Sequence, residues 1–240
     1  MNLLLLPEHT DITQPVLIDN IRQINHLHQV LKINVGDEIK IGIAQGQRYL
    51  AKIIELNQDN VKIQVIFQSD FPANPPQKLP VTLVLALPRP KVLRRMVQDA
   101  TAMGVQKIVL LHSYHVDKSY WSSPILQQLD EAMILGLEQA QDTIFPELTW
   151  EKRFKPFVED RLAVWIDENC PAYVAHPYAQ ASLPSNIQHE CILIVGCERG
   201  FIDYEINLLM ENGCQIYQLG SRILRTENSV PYCLGRLFYE

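Results

Sequence analysis

The chain has 240 residues, of which 47% are apolar and 20% charged, an ordinary composition for a folded protein with no low-complexity tract. Its longest apolar runs, among them Leu3–Leu6 and Ile192–Val195, are far too short for a membrane-spanning helix, and the N-terminus lacks the basic and apolar regions of a secretory signal, so a cytoplasmic protein without a membrane partner is expected. The net charge of −6 argues against a uniformly basic surface, yet Arg89, Lys91, Arg94 and Arg95 lie within seven residues with no acid among them.

The first 70 residues read as β-rich. Leu3–Leu6 is a short apolar strand, Ile18–Lys32 carries Ile21, Ile24, His28 and Leu31 at helical spacing, and Val35-Gly36-Asp37 turns the chain into the next strand. Glu38–Ile43 and Tyr49–Glu55 pair through a turn at Gly46, and Val61–Phe67 alternates apolar and polar, which gives one buried and one solvated face. Several short strands and one helix suggest a small barrel. Four prolines within Phe71–Pro80 cannot continue a helix or a central strand, so residues 71–80 are read as a linker between domains 1–70 and 81–240.

The second part alternates strands and helices. Val81–Leu87 is a continuous apolar strand, as both-face burial requires. A helix over Lys91–Met103 ends at Gly104, and a strand over Ile108–His112 follows. Ser123–Ala140 reads as one long helix, and Leu162–Asp167 and Ile192–Gly196 as strands. Asp203 caps a helix that stops at Gly213, with Glu205 in its first turn. Gln215–Leu219 is the last strand, and Glu227–Phe238, capped by Thr226, the last helix. This order predicts a parallel sheet with helices on both sides, an α/β fold whose ligands bind at the carboxyl ends of the strands.

The five cysteines form no Cys-x-x-Cys pair and no histidines stand at zinc-finger spacing, so free thiols and no metal are expected. No dinucleotide glycine fingerprint, phosphate-binding P-loop or Gly-x-Ser-x-Gly elbow is present. Two strand ends are unusual instead. One runs Ile194-Val195-Gly196-Cys197-Glu198-Arg199-Gly200-Phe201; the other runs from Leu219 and Gly220 through Arg222 and Arg225 to Ser229. Glycines there let the backbone approach a ligand closely. Periodicity alone leaves each open to being an ordinary strand-to-helix turn.

LGSRILRTENS, residues 219–229, resembles the Leu-Gly-x-Arg-Ile-Leu-Arg-Thr-Glu-Thr-Ala signature of the bacterial 16S rRNA uridine-N3 methyltransferase family, in the SPOUT superfamily. Gly196-Cys-Glu-Arg-Gly200 falls where that family carries Gly-Pro-Glu-Gly-Gly. Asn25–Lys32, Val35-Gly36-Asp37, Lys91–Val105 and Glu138-Gln139 are similar to further family segments, so the resemblance covers nearly the whole chain. It implies a PUA-like N-terminal β-barrel, a C-terminal α/β domain with a trefoil knot, a homodimer, S-adenosylmethionine as cofactor and small-subunit ribosomal RNA as substrate. Several departures from the family pattern remove positive charge: Gln29 replaces an arginine, His112–Trp121 lacks a Glu-Arg pair, and Asp142 stands near a usually basic position, while Lys32 replaces an arginine with its charge kept and Arg199 stands where the second loop glycine belongs. Cys197 and Ala102 replace a proline and a glutamate. These leave open a related enzyme with another RNA target and a non-catalytic RNA-binding paralogue.

The site residues follow from the same resemblance. Val195, Gly196, Gly200, Leu219, Gly220, Ile223, Leu224 and Thr226 are expected to hold the cofactor. Uracil N3 must lose its proton before it attacks, and Arg225 is the first candidate to stabilise the resulting anion, with Arg222 second. Glu198 or Glu227 is expected either to take that proton or to hold a loop. Arg22, Lys32, Arg89, Lys91, Arg94, Arg95 and Arg222 are expected on RNA.

Overall fold

The computed structural model describes residues 2–239. These form two compact units, one gathering the chain up to Gln77 together with Ile134–Phe145, the other Lys78–Met133 and the chain from Pro146 on.

The first unit is built on β1 (Leu4–Leu6), β2 (Val16–Ile18), β3 (Glu38–Ile43), β4 (Arg48–Leu56) and β5 (Val61–Ile66), in the sheet order β1-β3-β4-β5-β2. β1 runs parallel to β3; the other pairs are antiparallel. β1 and β2 are the two edges, so the sheet is a half-barrel rather than a closed one. Alternation works as the sequence requires, with Ile39, Ile41, Ala51, Ile53, Val61, Ile63 and Val65 turned into one core. The helical stretch starts as α1 (Ile21–Asn25), where the Asn20 side chain accepts the amides of Arg22 and Gln23. It widens into a π-turn over His26–Leu31 and stops at Lys32, whose φ is 51°. Glu138 is fully buried here and accepts from both Arg22 Nη atoms (2.6 and 3.1 Å), Gln23 Nε2 (3.1 Å) and the Leu5 amide (3.3 Å).

The second unit carries β6 (Leu79–Ala86), β7 (Val105–Leu111), β8 (Glu147–Glu151), β9 (Ala172–Ala175), β10 (Cys191–Val195) and β11 (Gln215–Tyr217). All are parallel, in the order β11-β9-β10-β6-β7-β8. The helices are α2 (Pro90–Ala102), α3 (Leu129–Ala140, whose second half groups with the first unit), α4 (Phe154–Pro156), α5 (Ala163–Trp165), α6 (Asp203–Glu211) and α7 (Thr226–Phe238). β6 and β10 are buried along almost their whole length, which is why they read as unbroken apolar runs. Burial pushes the Cys191, Cys214 and Cys233 thiols up to about 12, so they behave as small apolar side chains.

Several sequence expectations are corrected. Leu162–Asp167 is not a strand: a π-turn over Phe157–Leu162 leads into α5. Phe157, Val158 and Leu162 meet the core on one side of that wide turn, and Trp165 packs edge-on against Phe157 at 5.7 Å. Packing here overrides the strand preference of Val, Trp and Ile. The long helix over Ser123–Ala140 is broken as well. Pro124 holds Ser123 extended (φ −66°, ψ 134°) between two 3₁₀ turns, Lys118–Ser122 and Pro124–Gln128, and α-helix begins only at Leu129. The cap positions shift by one residue, to Ile202 and Arg225, leaving Asp203 and Thr226 inside their helices. β2, β8 and β9, of three to five residues each, carry too little pattern to be read in advance.

Candidate functional site

β11, β9 and β10 lie side by side, and the segments that leave their carboxyl ends enclose a cavity of about 270 Å³. Its wall includes Val195, Gly196, Gly200, Leu219, Gly220, Ile223, Leu224 and Thr226, which brings together all eight residues singled out from the two glycine-containing strand ends. A third wall, Ala175–Tyr178 at the end of β9, was missed because β9 itself was missed. The local signal was slight: a four-residue apolar run followed by His176-Pro177. Cys197, Phe201 and Ser229 also line the cavity.

The backbone explains the glycines. A Cβ on Gly196 would sit 2.9 Å from the Gly200 Cα, so the turn after β10 closes only with glycine there. Gly220 has φ +115°, a region L side chains avoid, and a Cβ on it would meet nothing within 4 Å. Phe201 packs beneath the first loop, and the Ile202 amide donates to Glu205 Oε2 (3.1 Å). The other oxygen of this buried carboxylate accepts the Tyr114 amide (2.8 Å), so one side chain fixes the loops after β7 and β10 together. On the second loop the Arg225 carbonyl accepts the Ser229 hydroxyl (3.0 Å) and the Ser229 amide (2.9 Å).

The charged candidates divide. Glu198 Oε1 accepts the Arg89 amide (2.9 Å) at the head of α2, so it ties the β10 loop to the end of β6. Arg222 is exposed and lines the cavity. Arg225 lies outside the lining; its side chain is 82% exposed and 3.9 Å from Glu227, itself half-buried. Arg89, Lys91 and Arg95 are exposed along α2, and Arg94 pairs with Glu131 at 3.3 Å. Lys32 is exposed, whereas the Arg22 guanidinium is held by Glu138. His176, in the cavity wall, titrates below its ordinary value because it is half-buried, an effect Asp203 partly offsets.

A larger hollow of about 390 Å³ lies in the first unit beside β2, but its walls are mainly aliphatic, and Arg22 and Gln23 there are committed to Glu138. The cavity at the strand ends combines convergent polar groups with glycines at positive φ.

A family model described as RNA methyltransferase domain matches residues 75–237, and one described as RNA methyltransferase PUA domain matches residues 18–66. The chain belongs to the RNA methyltransferase family. Among the relatives, the ribosomal RNA small subunit methyltransferase E of Treponema pallidum is 26% identical over 85% of this chain and 77% of its own length. The ribosomal RNA small subunit methyltransferase E 1 of Borreliella burgdorferi is 26% identical over 95% and 94%. The fold is shared with the small subunit methyltransferase E of Neisseria gonorrhoeae bound to S-adenosyl methionine, with TM-score 0.77, 19% identity and coverage of 98% of this chain and 95% of that one. It is shared too with a methyltransferase from Legionella pneumophila in complex with the same cofactor, with TM-score 0.76, 21% identity and coverage of 98% and 95%. Family membership thus joins a PUA domain to an RNA methyltransferase domain in one chain. Among the described residues, no helix is long and apolar enough to cross a membrane.

Proposed function

We propose that this family member is an S-adenosylmethionine-dependent methyltransferase of ribosomal RNA, acting on N3 of a uridine in the 16S rRNA of the small subunit. In this reading it works in the cytoplasm as a homodimer, with residues 1–70 binding RNA, 71–80 as linker and 81–240 as a trefoil-knotted catalytic domain. The observation that carries the reading is the convergence of the two glycine-containing loops on one cavity. The names and cofactor-bound states of its relatives point the same way.

The residues present fit an adenosyl cofactor. Leu219, Ile223 and Leu224 offer aliphatic surface for an adenine, and Ile223 stands 74% exposed at the cavity until something covers it. Gly220 leaves room where any other residue would project a side chain. The cofactor's sulfonium supplies the methyl group. The backbone of Val195–Gly200 and Leu219–Thr226 binds and orients it, so positioning supplies much of the acceleration. Arg225, with Arg222, stabilises negative charge on uracil O2 and O4 as N3 loses its proton. Glu227 is assigned the carboxylate that receives that proton, and Glu198 positions the loop through the Arg89 amide. N3 lies on the Watson–Crick edge, so the target base is unpaired or flipped out.

Titration calorimetry with S-adenosylmethionine, followed by single-turnover methylation of 30S subunits from a deletion strain and mass spectrometry of their nucleosides, tests the proposal. Cofactor binding with transfer to uridine N3 is expected. Transfer to another nucleotide overturns the target, and absence of cofactor binding overturns the enzyme.

A further inference from the structure

Beyond the cavity, the same carboxyl edge carries an unusual concentration of aromatic rings and uncommitted cations. Two of the chain's three tryptophans meet there. Trp150, near the end of edge strand β8, is 40% exposed and packs edge-to-face against Trp121 at 6.1 Å. Trp121 in turn donates its indole N–H to His112 Nδ1 (2.9 Å), just past the end of β7, which fixes its ring. Lys152 holds its ammonium 5.6 Å from the Trp121 ring centre. Tyr114, 72% exposed, stands on the β7 loop.

The charges around these rings are unbalanced in one direction. Asp117 accepts the Ser119 amide (2.8 Å), Glu151 pairs with Arg161, and Glu205 accepts two backbone amides, so three carboxylates stand against the four cations Lys118, Lys152, Arg153 and Arg161. Among the described residues Lys118, Lys152 and Arg153 have no acidic partner. A chain of net charge −6 thus keeps a locally cationic, aromatic surface at this edge.

This surface is coupled to the cavity. Phe154, two residues beyond Lys152, packs on the cavity-wall residue Phe201 with ring centres 5.9 Å apart. Glu205 ties the Tyr114 loop to Ile202, the neighbour of Phe201. Both loops that bear the rings are therefore braced against the β10 loop that walls the cavity.

We propose that Trp150 and Lys152, supported by Trp121 and His112, form a stacking platform for an unpaired nucleotide of the RNA substrate flanking the one presented to the cavity. Every base has a π-face, so an exposed indole accepts any of them, while the adjacent ammonium takes the phosphate. A duplex offers no free base face, so the platform selects single-stranded RNA. The inference rests on the RNA-methylating reading above and adds to it where the strand runs.

The test uses the full chain and a fluorescently labelled single-stranded RNA oligonucleotide, with binding followed by anisotropy across a salt series. Trp150→Ala weakens binding by roughly 5- to 100-fold, the loss of one base–aromatic stack, while Trp150→Phe retains most of it. Lys152→Ala lowers the salt-dependence slope by about 1, the loss of one phosphate contact. Calorimetric affinity for S-adenosylmethionine stays at the wild-type value in all three. Wild-type RNA affinity in Trp150→Ala with an unchanged melting temperature overturns the platform and leaves the enzyme reading standing. A wild-type chain that binds the cofactor and methylates 30S subunits but binds no single-stranded RNA overturns the platform alone, and one that binds neither cofactor nor RNA overturns both. A Trp150→Ala chain that changes oligomeric state by light scattering while binding RNA normally makes this face a protein interface and overturns the platform.

Discussion

Around Glu138, in the first unit, a buried carboxylate is filled by an arginine, a glutamine and an amide. At the carboxyl edge of the six-stranded sheet the pattern is reversed: Arg222, Arg225 and Lys152 face solvent, and Ile223 stands largely uncovered beside a cavity. A buried charge survives only when its partners are supplied by the fold, so the first region is scaffold. Cations and apolar surface left unmatched beside positive-φ glycines are open to a ligand.

Substitutions sharpen that contrast. The largest effect belongs to Glu138→Ala, which strands the groups around it and costs about 3–5 kcal/mol. A thermal melt shows it as a much earlier transition. Replacing the pair together, Arg22→Met with Glu138→Leu, recovers only part of that loss, because the Leu5 amide and Gln23 Nε2 still lack this acceptor. If Glu138→Ala melts like wild type, the network is not what holds the first unit.

Arg225→Lys should do the opposite. It keeps the charge and loses the planar fork of donors, and single-turnover methylation should slow by roughly 10²–10³, with the melt and cofactor affinity unchanged. The exposed pair with Glu227 is worth under about 1 kcal/mol, so an early melt would return Arg225 to the scaffold. Gly220→Val places a side chain in open space at a φ of +115° that valine avoids. Calorimetry should then show at least a tenfold loss of S-adenosylmethionine affinity, about 1.4 kcal/mol or more. An unchanged affinity would mean that the cofactor lies elsewhere.

The smallest effect concerns pH. Burial, with Lys118 nearby, holds His112 below its ordinary value of 6.5, a shift Glu205 partly opposes. The unfolded chain therefore binds this proton at higher pH than the folded one, and stability falls as pH drops from about 6.5 through the lower folded value. His112→Gln keeps an acceptor for the Trp121 indole and removes the titration. Its melting temperature should fall less than that of wild type between about pH 7 and about pH 5.5. Parallel curves would show that His112 does not contribute.

How much was legible in advance depended on the range of the physics involved. The runs Val81–Leu87 and Ile192–Val195 announced buried parallel strands because both faces of such strands are apolar. The motif from Leu219 to Ser229 marked its loop only through its resemblance to a family signature; periodicity left it an ordinary turn, and the structure shows its Gly220 at a φ of +115°. β9 was invisible at four residues, and with it the wall containing His176 and Tyr178. The strand read at Leu162–Asp167 failed because a π-turn buries Phe157 and Leu162, five positions apart, a spacing that neither strand nor α-helix periodicity anticipates.

The sequence by itself determined the α/β class, the β-rich first segment, the family and the two loops at the cavity, since each is written in residues close together along the chain. Only the tertiary structure decided which charges are spent and which remain. Arg22 reads as a surface cation until Glu138, 116 positions away, closes on it. Trp121 and Trp150 read as unrelated aromatics until β7 and β8 set them 6.1 Å apart. Such pairings arise when strands distant in sequence align in one sheet, and local periodicity carries no record of which distant side chains that alignment brings together.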